Sequence, residues 1–470
     1  MEKIGLGLVI GHRMGAFPDK HPIEARKLLI KQLEKLPINL FILPQEDSPL
    51  GAVASLNDAK KYADYFSKNR NSIQGVILSL ADFGDEGSLS SILNLADLNV
   101  PVFVHAFADD PSAMSIAERK DAFCGKFSLC NNLMQNGVKF TLGENHVESP
   151  DSKEFLLDIQ NFIATCRVVH GLKHARIGCI GARTPNFKTM RFNEKLLQRN
   201  GITVETCDLS SIIKSADSVV KTDTLYKIKN DLFRDKFFKD SSVPETSIDK
   251  IVRFSIAIEA WVKENSITTF AIQCWPSLQD AMGIYPCTIM SALSDEGIPA
   301  ACETDVMGAL SMLALQLAST NSSALFDLNN NGSDKNEMVL FHCSNSPKSM
   351  MQSCKATCNA MDCKGDRLDS SYSTLEGKLK TGEITMLRVS DSLGDKLHAY
   401  CTTADITDKS LSTFGTYGVI KVDRLQELLN YGCSNGFEHH IAINYGDSKK
   451  ILDEAFNKYL KWDLYVHGKK

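Results

Sequence analysis

The order of its secondary-structure signals most constrains what this 470-residue chain can fold into. Up to residue 319, short apolar runs alternate with segments of helical period. Runs at 3–10, 39–43, 74–80 and 100–105 read as strands, and 22–35, 57–67, 88–95 and 154–172 read as helices. The pattern then restarts. Strands are predicted at 174–181, 203–207, 267–274 and 299–303, and helices at 193–200, 247–264, 287–295 and 305–319. Such alternation implies parallel sheets covered by helices on both faces. Beyond residue 319 extended runs dominate, at 338–343, 383–389, 397–402, 416–422 and 441–445. Gly, Asp and Ser clusters separate them, and helices at 424–431 and 449–460 flank the last. The reading is α/β: two Rossmann-like α/β domains, 1–172 and 173–319, followed by a C-terminal β-rich, barrel-like domain, 320–470.

Composition narrows the function classes. A net charge of -5 argues against a general nucleic-acid surface. No run of apolar residues is long enough to predict a membrane span. The start, MEKIGLGLVIGHRMG, lacks the apolar core of a signal peptide and reads as a strand and loop. The 14 cysteines are scattered, which fits free thiols in a reducing cytoplasm. Cys354, Cys358 and Cys363 are closer together, but their spacing is not that of a zinc ribbon, and they read as a Cys-rich loop.

Four potential metal ligands stand in the last third: Glu303 in ACETDVMGA, Asp327 in LFDLN, His342 in LFHCSN and His440 in HHIAINYGD. Carboxylates with neutral imidazoles suit Mn²⁺ or another divalent cation. A carboxylate pair beside such an ion can move protons next to a carbonyl, which points to a small polyol or sugar. Taken singly, each has a plainer reading. Glu303 suits a solvated loop beside a helix cap at Thr304 or Asp305, and Asp327 suits a turn. His342 suits a core, and His439 rivals His440. Their common feature is position at the end of an extended segment, where α/β sheets bind ligands.

Other residues share that placement. His12 and Arg13 follow the first strand, and an arginine there can hold an anionic or hydroxyl-rich ligand. His105 ends the strand at 100–105. Trp275 and Gln279 in AIQCWPSLQ pair an aromatic face with an amide, which suits a sugar. RIGCIGAR lacks the third glycine of a dinucleotide fingerprint.

The segments PVFVHAFADDP, FCGKFSLCNNL, AIQCWPSLQ, ACETDVMGAL, LFHCSN and HHIAINYGD together resemble the L-fucose/L-arabinose isomerase superfamily. The likeness covers most of the chain and is strongest from 270 to 345. It implies aldose–ketose isomerisation of a pentose, hexose or modified sugar through a cis-enediol. It also implies a metal held by Glu303, Asp327, His342 and His440, with Glu303 and Asp327 as the acid/base pair. Asp327 matches the fucose branch and His342 the arabinose branch, which leaves the sugar open. The resemblance further implies a homo-oligomer, trimer or hexamer, in which a neighbour's N-terminal domain completes the site. His12, Arg13 and His105 would then contact substrate, as would Gln279 and Asn345. Alternatives on the same scaffold are a non-catalytic sugar-binding or regulatory protein and a metal-dependent epimerase or lyase.

Overall fold

A computed structural model describes residues 3–48, 50–239, 241–358 and 371–468. The chain divides into two compact units. One comprises Met1–His170 with Glu454–Lys461, the other Gly171–Asp453 with Trp462–Lys470.

The first unit is a five-stranded parallel sheet in the order β2-β1-β3-β4-β5. Its strands are β1 (Ile4–Gly11), β2 (Ile38–Phe41), β3 (Gly75–Leu80), β4 (Val102–Ala106) and β5 (Thr141–Leu142). Alternation along β1 sends Ile4, Leu6, Leu8 and Ile10 into one helix-covered core and Val9 into the other. The glycines of β1 make room on that second face. A Cβ at Gly7 would lie 2.7 Å from the Phe66 ring. Helix Ala122–Gln135 has no counterpart among the predicted elements.

The second unit combines a parallel sheet with a barrel. β6 (Arg176–Ile180), β7 (Thr203–Cys207), β8 (Thr269–Ile272) and β9 (Ala300–Ala301) form a four-stranded parallel sheet in the order β7-β6-β8-β9. Helix Val306–Ser319 leaves β9 and leads into the barrel. It is apolar around nearly its whole circumference, because it packs on β8 and β9 and also on barrel strands.

The barrel strands are β10 (Ser323–Asn331), β11 (Glu337–His342), β14 (Gly382–Ser390), β15 (His398–Ile406), β16 (Thr416–Lys421) and β17 (His440–Tyr445). Antiparallel pairing runs β16-β11-β10-β17-β14-β15, and a β15–β16 pairing closes the ring. β12 (Met351–Cys358) and β13 (Tyr372–Leu379) extend it beyond β16, and β18 (Asp463–Val466) lies beside β15. Phe326, Leu340, Met386, Tyr400, Ile420 and Ile443 belong to its core.

Two local expectations change. The stretch 329–335, NNNGSDK, has the composition of a loop. β10 instead runs through Asn331, because its asparagines pair with β11 across a bulge. Cys354 and Cys358 lie on β12 and not in a loop; Cys363 is outside the described residues. The described cysteines are free thiols. Among the described residues no helix is long and apolar enough to cross a membrane.

Leu310 is fully buried on the helix shared by sheet and barrel. Leu310→Ala is expected to cost about 2–5 kcal/mol in urea unfolding, as buried leucine truncations do.

Candidate active site

Glu303 stands one residue past Cys302, at the carboxyl edge of the four-stranded sheet. Glu303 and the β-branched Thr304 both have left-handed backbone, with φ of 61° and 53°. That region costs a non-glycine residue roughly 1–3 kcal/mol, and such strain concentrates at functional sites. The turn is held because Thr304 N–H donates to the Ile272 carbonyl at 3.1 Å and Asp305 caps the helix that follows. Glu303 is buried, and the Trp275 indole donates to its Oε1 at 3.0 Å.

The barrel supplies the partners. Asp327 on β10 pairs in register with His440 on β17 and with Phe341 on β11. Asp327 is therefore a strand residue and not a turn residue. His342 ends β11, and its ring centroid is 5.6 Å from that of His440. His440 Nε2 lies 3.2 Å from Glu303 Oε2 and 3.2 Å from Asp327 Oδ1.

His440 is oriented from behind. Its Nδ1–H donates to Asp305 Oδ2 at 2.8 Å, which leaves Nε2 as the nitrogen facing the carboxylates. Arg388 on β14 donates to both Asp305 oxygens, at 2.6 and 3.2 Å. The same arginine donates through Nε to Glu438 at 3.0 Å. Asp305 also accepts the Gly308 N–H at 2.8 Å. Beyond the helix cap that its position in the sequence suggests, Asp305 also anchors the histidine. Arg388 and Glu438 carried no signal, because one charged residue in an apolar strand or a short loop has no local pattern.

Electrostatics follow the geometry. Burial alone would raise the Glu303 and Asp327 carboxyls, but the His440 ring, 3.2 Å from each, and the neighbouring His342 imidazole hold both below their ordinary values. Burial likewise opposes charge on His440, yet Asp305, Asp327 and Glu303 outweigh it and raise the imidazole well above its ordinary value. Burial also raises the Asp305 carboxyl, and Arg388 and His440 more than offset that.

Two groups of side chains are close enough to hold an ion: Glu303, His342 and His440, and Asp327, His439 and His440. Their ligand atoms all lie within 4.8 Å of one another in each group. Glu303 Oε2 is buried without a properly directed hydrogen bond. An ion between Glu303 Oε2 and His440 Nε2 would satisfy it, and the Asp305–His440 pair is the carboxylate–imidazole arrangement that metal-bound histidines ordinarily use. The residues fit a divalent cation. His439 is the more exposed of the two histidines, and its Nε2 is 3.6 Å from Asp327.

The remaining candidates fall in different places. Gln279 Nε2 is spent on the carbonyls of Cys274 and Ile284, at 2.6 and 3.1 Å, so it braces its own loop. Asn345 is buried with neither side-chain polar atom paired. His12, Arg13 and His105 belong to the other unit. There His12 Nδ1 is 2.5 Å from Asp82, and Arg13 bonds Gly84 and pairs with Glu86. Both nitrogens of His105 are occupied. Ser79 donates to Nδ1 at 2.8 Å, and Nε2–H donates to the Glu148 carbonyl at 2.9 Å, as in a core histidine.

Comparison with known proteins places this architecture. The model of the fucose/sulfoquinovose isomerase N-terminal domain matches residues 7–173. That of the L-fucose isomerase C-terminal domain matches residues 340–467. The sulfoquinovose isomerase of Priestia aryabhattai is 25% identical over 417 residues, covering 87% of this chain and 88% of that protein. That of Alkalicoccus urumqiensis is 26% identical over 312 residues, covering 65% of this chain and 68% of the relative. Among solved structures, a periplasmic solute-binding protein from Actinobacillus succinogenes 130z with bound D-allose aligns at a TM-score of 0.17 and 9% identity. It covers 68% of this chain and 92% of its own. These matches define an enzyme of the aldose–ketose isomerase class. The chain belongs to the fucose isomerase family.

Two predictions follow from these environments. Burial lowers the His105 pKa to about 4, below its unfolded value of 6.5. Its contribution to stability is therefore complete above pH 6.5 and lost as pH falls towards 4, up to about 3 kcal/mol. Urea melts at pH 7 and pH 5 should show about 2 kcal/mol of this loss, and His105→Phe should flatten it. Mn²⁺ should raise the melting temperature, by the equivalent of about 2.7 kcal/mol at a hundredfold excess over Kd. Glu303→Gln should abolish the rise, and acid should weaken it because the ion must displace the His440 proton.

Proposed function

We propose that this chain is a Mn²⁺-dependent isomerase converting a sulfonated hexose into its ketose through a cis-enediol. The observation that carries the proposal is the convergence of Glu303, His342 and His440 beside Asp327, with His440 locked by Asp305. The choice of sugar follows the names of the relatives. In this reading residues 173–319 supply Glu303, and 320–470 supply the other donors.

The bound cation would supply positive charge where two adjacent sugar oxygens become negative. Glu303, Asp327, His342 and His440 would hold it. Both carboxylates lie below their ordinary pKa, so they are ionised at neutral pH and able to accept protons. Glu303 is assigned the carbon-bound proton, taken from C2 and returned to C1, with Oε1 steadied by Trp275. Asp327 is assigned the proton that moves between the two oxygens. Hydrogen moves as a proton throughout, so no nicotinamide is required. The unpaired amide of Asn345 suits a hydroxyl-rich ligand, since buried polar atoms find partners. A trimer or hexamer, with His12 and Arg13 directed at a neighbour's site, completes the proposal. A fully active dilute monomer would remove that part.

Ketose formation should be seen with sulfoquinovose, vanish with chelator and return with Mn²⁺. Glu303→Gln should lower turnover by about 10³-fold with an unchanged far-ultraviolet spectrum. Full activity in chelator, or in Glu303→Gln, would defeat the assignment.

A further inference from the structure

The loop at residues 181–193, after β6, is fastened to the site at three points. Ala182 N–H donates to Gln273 Oε1 at 3.0 Å. Thr184 Oγ1 donates to the Trp275 carbonyl at 3.1 Å. The Phe187 ring lies 5.6 Å from that of His439 and 6.0 Å from that of His440. Arg183 stands between the first two points. Trp275, to which its neighbour is tied, donates to Glu303.

Arg183 is exposed, and its guanidinium makes one long bond, 3.3 Å, to the Thr184 carbonyl within its own turn. Among the described residues no carboxylate pairs with it. An exposed, unpaired arginine is ordinary by itself. Here its backbone is fixed beside a carboxylate-rich centre. Glu303, Asp305 and Asp327 surround His440, and Arg388 behind them is buried and already shared between Asp305 and Glu438. Even with the proposed divalent cation in place, Glu303, Asp305, Asp327 and Glu438 outweigh that ion and Arg388, so an uncommitted cation is what best meets the charged end of an anionic substrate. The other cations of the loop are less suited. Lys188 and Arg191 line a cavity of about 400 Å³ whose walls also include Asp391 and Glu438, so their charge is offset.

We infer that Arg183 reads the anionic substituent of the sugar. Its guanidinium fork takes two oxygens of a sulfonate at the end of the substrate remote from the reacting carbons. The inference rests on the isomerase reading above.

The test compares kcat and KM for sulfoquinovose with KM or inhibition constant for D-glucose, which carries a hydroxyl where the former carries a sulfonate. Arg183→Met should raise KM for sulfoquinovose about tenfold or more, leave kcat within a few-fold, and leave the D-glucose constant unchanged. Arg183→Lys should restore part of the loss. Arg191→Met should alter neither constant. Added salt should raise the wild-type KM for sulfoquinovose and have little effect on that of Arg183→Met. A sulfoquinovose KM within twofold of wild type in Arg183→Met overturns the inference, as does an equal rise for both sugars. Turnover of D-glucose with no preference for sulfoquinovose overturns it while the isomerase reading stands. No turnover of either sugar in Mn²⁺-loaded protein overturns both.

Discussion

One carboxylate holds the second unit's site together. Asp305 receives two bonds from Arg388, one from His440 and one from the Gly308 amide at the start of helix Val306–Ser319. The residue sits where the parallel sheet ends and that helix begins, while its partners Arg388 and His440 belong to barrel strands. A single buried acid thus fixes a helix start, neutralises a buried arginine and selects the ring nitrogen that faces Glu303. Removing one partner would strand a charge away from water, which costs far more than the pair itself contributes.

The sheet and the barrel make different contributions to this arrangement. The parallel sheet brings Glu303 to its carboxyl edge on a strained turn, where strand geometry gives way and side chains can converge. The antiparallel barrel presents Asp327, His342 and His440 from three neighbouring strands, so their spacing is set by the ladder and not by loop conformation. Sites built on such rigid elements hold their geometry closely. The helix shared by the sheet and the barrel keeps the two sets of donors together.

Much of this was legible in the sequence, and the limits have physical causes. The α/β alternation and the change to extended runs showed clearly, because buried parallel strands are continuously apolar and their helices are periodic. Helix Ala122–Gln135 escaped because Phe123, Phe127 and Met134 are exposed, which blurs its apolar face. β12 and β13 escaped because their residues mix polar and apolar types. Glu303 and His342 were visible by position at strand ends. The choice between His439 and His440 was not, since alternation assigns faces only once the strand's first residue is known. Arg388 was invisible because the residues that make it necessary are far away in the chain.

The pairing of Asp327 with His440 has a consequence for assembly of the barrel. Those two donors sit directly opposite one another on β10 and β17. A slip of one residue in that ladder would preserve much of its backbone hydrogen bonding but turn one donor to the opposite face. In the proposed reading the donor set would work as a proofreading mark. The proposed cation would reward only chains whose strands have closed in the right register, and a misthreaded barrel would then fail to take up metal even where its secondary structure looked complete.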